Sequence, residues 1–379
     1  MASGGPLAGV RVIDLTNNLS GPFGTMVLAQ QGADVIKIER PPHGDIIRGV
    51  GSQRGGTSAY FVNTNWGKRS VTLDLSQEDG RDTLRRLLET ADVLVENFRP
   101  TVMPGFGFAP DDVVAAHPRL VYAAVRSFPS GSRFADAPAY DHVIQAMAGF
   151  ASCQADLKEG TPVLVQQAVV DKVTGLTLAQ AITAALFERE RTNRGQFLEI
   201  PMLHAALQFL WPDAATNASF VGDVDKLPPQ SRTFRLTKTA DGYVSLIAIS
   251  NDQFDGLMRA VGKDELIGDP NLNSPGKRGR HGAQVMREVG AFLREKTTAE
   301  VMDLLTANGV PCGPVTALDD VADYVDEIAP GFMVRESHPQ LGAMVHPAPA
   351  VRFDEPVAIR PTPALGQDTA EVLAELDGA

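Results

Sequence analysis

Two β-branched strands, Gly9-Val-Arg-Val-Ile-Asp-Leu15 and Ala33-Asp-Val-Ile-Lys-Ile-Glu39, are separated by a loop from Thr16 to Gly24, a helix through Thr25 to Gln31, and a helix-ending Gly32. That spacing is what a right-handed parallel crossover requires. The pattern recurs: Lys68-Arg-Ser-Val-Thr-Leu-Asp-Leu75 alternates as a strand, Glu78 to Thr90 carries Leu84, Leu87 and Leu88 on one helical face, and Asp92 to Glu96 and Pro118 to Val125 read as further buried strands. Alternation of this kind up to about residue 205 predicts an α/β fold, with a large, Rossmann-like, doubly wound domain over residues 1–205. The dinucleotide fingerprint G-x-G-x-x-G is absent, which disfavours nicotinamide or flavin binding.

Beyond that domain the periodicity lapses. Asp, Asn, Gly, Pro and Gln dominate between Trp211 and Ser231, so residues 206–230 are expected to be a linker. A smaller α+β domain is expected over 231–320, from a turn and strand at Asp241 to Ile249, an amphipathic helix around Val285 to Leu293, and a capping box of Thr297 with Glu300. Residues 321–379, with strand-like alternation at Leu341 to Arg352 and a last helix at Thr369 to Leu376, are expected to return to the large domain. A chain of 379 residues is long enough for two such bodies.

Composition narrows the function. A net charge of −12 with no compensating Lys/Arg tract argues against nucleic acid, so an anionic ligand would need local arginines. No long uncharged apolar run suggests a membrane span, the N-terminus shows no secretory signal, and Cys153 and Cys312 form neither a metal pair nor a disulfide framework; a cytoplasmic location fits best. The seven histidines are scattered without H-E-x-x-H, and neither G-x-S-x-G nor a P-loop is present, so metal, serine-hydrolase and P-loop chemistry are not indicated.

What remains is an acid. Pro162-Val-Leu-Val-Gln-Gln-Ala-Val-Val-Asp171-Lys-Val-Thr-Gly175 reads as an apolar strand ending on Asp171, followed by a helix with Leu178, Ile182, Ala185 and Leu186 at helical spacing. A carboxylate at a helix start can face free backbone N–H groups as a nucleophile or base. On spacing alone, a plain N-cap accounts for it more simply. Arg40 and Arg99 each follow a strand and would project from the carboxyl edge, where open α/β sheets bind ligands, although a solvated loop position explains either one. Tyr140 opens a half-buried helical segment, and its ring has a packing role as an alternative.

In order and spacing these segments resemble the family III CoA-transferases, which act on formyl-CoA, carnitine and dicarboxylate substrates and are related to the 2-methylacyl-CoA racemases. The resemblance is carried by Pro6 to Leu15, Ser20-Gly-Pro22, Gly32 to Pro41, Asn65 with Lys68-Arg69-Ser70, Asp92-Val-Leu-Val-Glu-Asn-Phe-Arg-Pro100, Tyr140-Asp141 with Gln145 and Gly149, Asp171-Lys-Val-Thr-Gly175, Arg194-Gly-Gln196, and Gly309 to Val315. It implies transfer of CoA from an acyl-CoA thioester to a free carboxylic acid. Asp171 would be the nucleophile, forming a mixed anhydride and then an aspartyl-CoA thioester, with Tyr140 beside the acyl group. Leu19, Ser20, Arg40, Leu73, Asn97, Phe98 and Arg99 would hold the CoA moiety. It implies no prosthetic group, coenzyme A only as part of the substrate, and an interlocked, ring-like homodimer.

The departures bear on the substrate. Tyr140 stands before Asp141 where the racemases carry a His, which argues against racemisation, and His142 would face another way on a helix. Leu246 to Gln253 lacks the glycine-rich loop of the formyl-CoA transferases. Gly105 replaces a basic residue that often follows the Asn-Phe motif, so one phosphate contact is either missing or supplied elsewhere, with Arg126 and Arg133 as candidates. Arg232 or Arg235 could face a second carboxylate, though a solvated loop accounts for each more simply. A racemase or isomerase with Asp171 as base, and a CoA-binding subunit without activity, are the alternative functions.

Overall fold

The computed structural model describes residues 4–155, 160–223 and 234–378. The chain forms two compact units, Met1–Pro212 with Gly331–Ala379, and Asp213–Pro330.

The first unit is built on six parallel strands: β1 Arg11–Asp14, β2 Asp34–Glu39, β3 Arg69–Thr72, β4 Val93–Glu96, β5 Val121–Arg126 and β6 Phe197–Pro201. Their spatial order is β3-β2-β1-β4-β5-β6, so the winding reverses between β1 and β4. Register pairs Val12 with Val35 on one side and Val93 on the other. The strands are apolar on both faces because both are covered. Val12, Val35, Val95 and Val125 pack against helices α1 (Ser20–Gln30) and α6 (Val169–Thr192), while Ile13, Ile36, Leu94 and Tyr122 pack against α3 (Glu78–Glu89) and the last helix, Thr369–Asp377. By length and hydropathy α6 would also suit a membrane span, but its Leu178, Ile182, Ala185 and Leu186 are buried in this core.

Three local expectations are corrected. The segment Ser20–Gly24, read as loop, is already helical: Pro22 falls in the first turn, where a missing N–H is harmless, and the glycines serve packing and do not break the helix. The run before Asp171 is not a strand. Val169 and Val170 already belong to α6, and the residues before them are held by one side chain, with Val165 N–H donating to Gln145 Oε1 at 3.0 Å and Gln145 Nε2 donating to the carbonyls of Val165 and Gln167 at 3.3 and 3.0 Å. Part of the expected linker is helix α7, Met202–Ala214, which follows the short strand β6 directly.

The C-terminal segment is tied to the same sheet. Ser70 N–H donates to Asp368 Oδ2 at 2.8 Å, and Arg69 and Arg11 pair with Glu375 at 2.6 and 2.9 Å.

In the second unit, antiparallel strands Leu236–Lys238, Tyr243–Leu246 and Cys312–Pro314 pack with helices Asn251–Ala260, Ala283–Arg294 and Thr298–Ala307 around Val244, Leu257, Leu293 and Leu305. The capping box of Thr297 and Glu300 is formed in full.

Candidate active site

The carboxyl ends of the strands carry charge into the interior. Lys68 pairs with Asp14 at 2.9 Å, Lys37 with Asp45 at 3.0 Å, and Arg48 with Glu39 at 2.7 Å, all of them buried. Ions so placed persist only when paired and hydrogen-bonded. Burial alone would raise the Asp14 carboxyl, but Lys68, Lys37 and the hydroxyls of Thr16 and Thr25 hold it below the usual carboxylate range. This network fixes the loop after β1: Lys37 Nζ donates to Thr16 O at 2.6 Å, and Asn18 N–H donates to Asp45 Oδ1 at 3.1 Å, with Asn18 itself at φ 65°.

At the point where the winding reverses, the loops after β1 and β4 clasp. Asn17 N–H donates to Asn97 Oδ1 at 2.9 Å, and Asn97 Nδ2 returns a bond to Asn17 O at 2.7 Å. The next residue, Phe98, is held from below. Phe98 N–H donates to Glu96 Oε2 at 2.8 Å, and Arg126 donates to Glu96 Oε1 at 2.6 Å and to Phe98 O at 3.2 Å. Arg126 is therefore committed to a fully buried carboxylate and is not free for a phosphate. Arg133 is exposed, with its guanidinium 4.6 Å from the centre of the Phe134 ring.

Helices α1 and α6 cross with their backbones in contact. A Cβ on Gly24 would lie 2.6 Å from Gly175 O, and one on Gly175 would lie 2.7 Å from Ser20 O, so only glycine fits either position. The crossing brings together the residues one turn earlier in each helix, Ser20 and Asp171. Asp171 is not an N-cap: Ala168 holds that position without a side-chain bond, and Asp171 lies in the first turn. Its backbone N–H donates to Asp141 Oδ2 at 2.8 Å, while Gln145 Nε2 donates to Asp141 Oδ1 at 2.5 Å. A carboxylate from the start of helix α5 (Asp141–Ala148) thus caps α6 and sits against Asp171. Burial and the Asp141 charge push the Asp171 carboxyl up to about 7, opposed by a hydrogen bond from the Ser20 hydroxyl.

A cavity of about 220 Å³ opens over this junction, lined by Ser20, Asn97, Phe98, Arg99, Tyr140 and Asp171 together with Asn18, Arg126 and Met202. Six of the residues expected from sequence are thereby gathered into one place. Tyr140 precedes α5 in extended conformation with its ring 62% exposed at the rim, and His142 is exposed outside the lining. Three others lie elsewhere. Leu19 is buried beneath the start of α1, Leu73 is buried in the core, and Arg40 is exposed and pairs with Asp74 at 3.5 Å. Leu73 and Arg40 do share the carboxyl edge, Leu73 N–H donating to Glu39 O at 3.0 Å. Gly105 has open space where a side chain would start. Arg232 lies outside the described residues, and Arg235 is exposed in the second unit.

Sequence reasoning missed Tyr60. It lies in helix α2 (Ala59–Asn65), and its phenol is pushed up by burial and by the charges of Asp171 and Asp141, which it faces. A larger cavity of about 460 Å³ lies between α1, α2 and residues 346–353, but it is mostly apolar and His346 is its one titratable lining residue. Among the described residues no group of three His, Cys, Asp or Glu is placed to hold a metal.

The chain was compared with known proteins. The sequence profile of CoA-transferase family III matches residues 7–369. The succinate–glutarate CoA-transferase of Agrobacterium fabrum is 32% identical over 98% of this chain and 96% of its own length. The formyl-CoA:oxalate CoA-transferase of Streptomyces avermitilis is 32% identical over 97% and 94%. Among solved structures, a CAIB/BAIF family protein from Brucella suis superposes with a TM-score of 0.82 at 28% identity, covering 98% of this chain and all of that one.

Proposed function

This chain belongs to CoA-transferase family III, and from that membership we propose that it moves CoA from an acyl-CoA thioester to a free carboxylic acid by covalent catalysis on Asp171. The observation that carries the reading is the half-buried Asp171 carboxylate at the head of α6, set in a cavity beside Ser20, Asn97 and Arg99. With its carboxyl pushed up to about 7, Asp171 is largely ionised just above neutrality and is more basic than an ordinary aspartate, which favours attack.

The chemistry balances without a further reagent. An Asp171 oxygen bonds to the thioester carbonyl carbon, the C–S bond breaks, and CoA leaves as a thiolate with the electron pair. The thiolate attacks the Asp171 carbonyl carbon of the mixed anhydride, forming an aspartyl-CoA thioester and expelling the first carboxylate. The acceptor carboxylate then repeats the sequence in reverse. Each intermediate keeps the acyl group activated, provided that water is excluded.

Arg99, exposed at the rim and without an ion-pair partner among the described contacts, would take a CoA phosphate, with Asn97 and Phe98 beneath the pantetheine and Tyr140 beside the acyl group. Arg40 and Leu73 would extend that site along the carboxyl edge, and Leu19 would line it through its backbone. The relatives' names, which pair succinyl-CoA with glutarate and formyl-CoA with oxalate, support carboxylic acids as acceptors. An interlocked homodimer in the cytoplasm belongs to the same reading and is tested by sedimentation velocity and cell fractionation.

The test is mass spectrometry of a reaction in deuterated buffer with succinyl-CoA, a 2-methylacyl-CoA and a panel of free acids. New thioesters lacking α-deuterium, lost in Asp171→Ala, are expected. Deuterium at the branched carbon without CoA exchange would overturn transfer in favour of racemisation.

A further inference from the structure

Ser20 opens α1, is 4% exposed, and shares a cavity with Asp171. The Gly24–Gly175 contact locks the two helices so that this pair cannot drift apart. The carbonyls of Thr16 and Asn17, just before α1, already accept bonds from Lys37 at 2.6 Å and from Asn97 at 2.7 Å. The Ser20 hydroxyl lies in the same cavity as the Asp171 carboxylate and acts on it to favour the charged form. Resemblance alone would class Ser20 with the residues that hold CoA, but its position is beneath the nucleophile.

We propose that Ser20 is a catalytic hydrogen-bond donor to Asp171 itself, stabilising the negative charge that develops on the Asp171 carbonyl oxygen when CoA thiolate attacks it. This rests on the covalent reading of Asp171. In that step the thiolate sulfur bonds to the Asp171 carbonyl carbon, the carbonyl π pair moves onto oxygen, and its return breaks the bond to the bridging oxygen, which leaves with the first carboxylate. The oxygen that gains charge belongs to the enzyme, not to the substrate. A donor fixed on the protein can therefore be aligned with it before any substrate arrives, and a buried donor of that kind is worth far more than one in water. The start of α1 adds its dipole in the same direction.

The Ser20→Ala enzyme tests this. The expected result is a fall in kcat on the order of 10²-fold, with KM for acyl-CoA kept within about threefold, since only a transition-state contact is removed. Loss of the donor also releases Asp171 to a higher pKa, so the acid limb of kcat/KM moves to higher pH. A KM raised tenfold with kcat unchanged would make Ser20 a CoA-holding residue, and an unmoved kcat and pH limb would remove it from the chemistry; either overturns the proposal. Both enzymes are also incubated with acyl-CoA alone and trapped with hydroxylamine, and the peptide carrying Asp171 is weighed. No adduct in the wild type sinks the covalent reading itself. An adduct that the wild type and Ser20→Ala form and discharge at the same rate sinks the role of Ser20 alone.

Discussion

The backbone N–H of Asp171 donates to the carboxylate of Asp141 at 2.8 Å, which places two acids at the head of one helix. Asp141 caps α6 and at the same time opposes ionisation of the residue it holds. Asp141→Asn keeps an acceptor but removes the charge. The acid limb of kcat/KM, expected near pH 7 in the wild type, should move down by roughly one unit, and a limb that stays in place would show that burial alone sets it. Because both Asp141 oxygens accept hydrogen bonds, the amide leaves one buried donor unpaired, and stability should fall by about 1–3 kcal/mol.

Asp171 also makes stability depend on pH. Its folded pKa lies above its unfolded value, so the native state binds the extra proton, and stability falls as pH rises from about 4 to about 7. Above that window Asp171→Asn should be the more stable protein by on the order of 2 kcal/mol, and near pH 4 the two should coincide. Urea unfolding at pH 4.5 and pH 8 measures the difference.

Among the described residues Arg99 is the cavity-lining cation without an ion-pair partner, and Gly105 is the open position on the turn that follows it. Arg99→Ala should raise KM for acyl-CoA about tenfold, by loss of a charge-assisted contact, with kcat nearly unchanged and the effect shrinking in high salt. Gly105→Arg should partly restore binding in the Arg99→Ala background. Equal KM values in all three proteins would place the phosphates elsewhere.

Gly175→Ala puts a Cβ 2.7 Å from Ser20 O and 3.0 Å from Gly24 N. Backbone is not displaced cheaply, so a stability loss of about 1–3 kcal/mol is expected. Because the methyl group wedges Ser20 away from Asp171, kcat should fall even where the protein remains folded, as judged by circular dichroism at the assay temperature.

Strands β1, β2, β4 and β5 were legible because a parallel strand in the sheet interior leaves a largely apolar run, and β3, at one edge, was legible from its alternation. Strand β6 was not: it lies at the sheet edge, half exposed, with Glu199 in its middle. Glycine and proline misled at Ser20–Gly24, since a sequence does not distinguish a glycine that breaks a helix from one that lets two helices touch. The run before Asp171 misled for a related reason: its β-branched residues suit a strand, and the Gln145 side chain that claims their hydrogen bonds is remote in sequence. Spacing alone favours a plain N-cap for Asp171, and only the resemblance of the whole chain raises it to a nucleophile candidate. The helix it occupies is capped by an acid 30 residues earlier, and Tyr60, which feels its charge, comes from a different helix again. Such placements are made by the fold, and local pattern carries no trace of them.

The bonds between Asn17 and Asn97 join two uncharged amides. Neither protons nor salt act on them directly, whereas the carboxylate a few residues away changes charge near neutrality. The clasp at the mouth of the crevice thus carries no titrating group of its own, and a change in pH reaches this crevice through Asp171 and not through the bonds that hold its mouth.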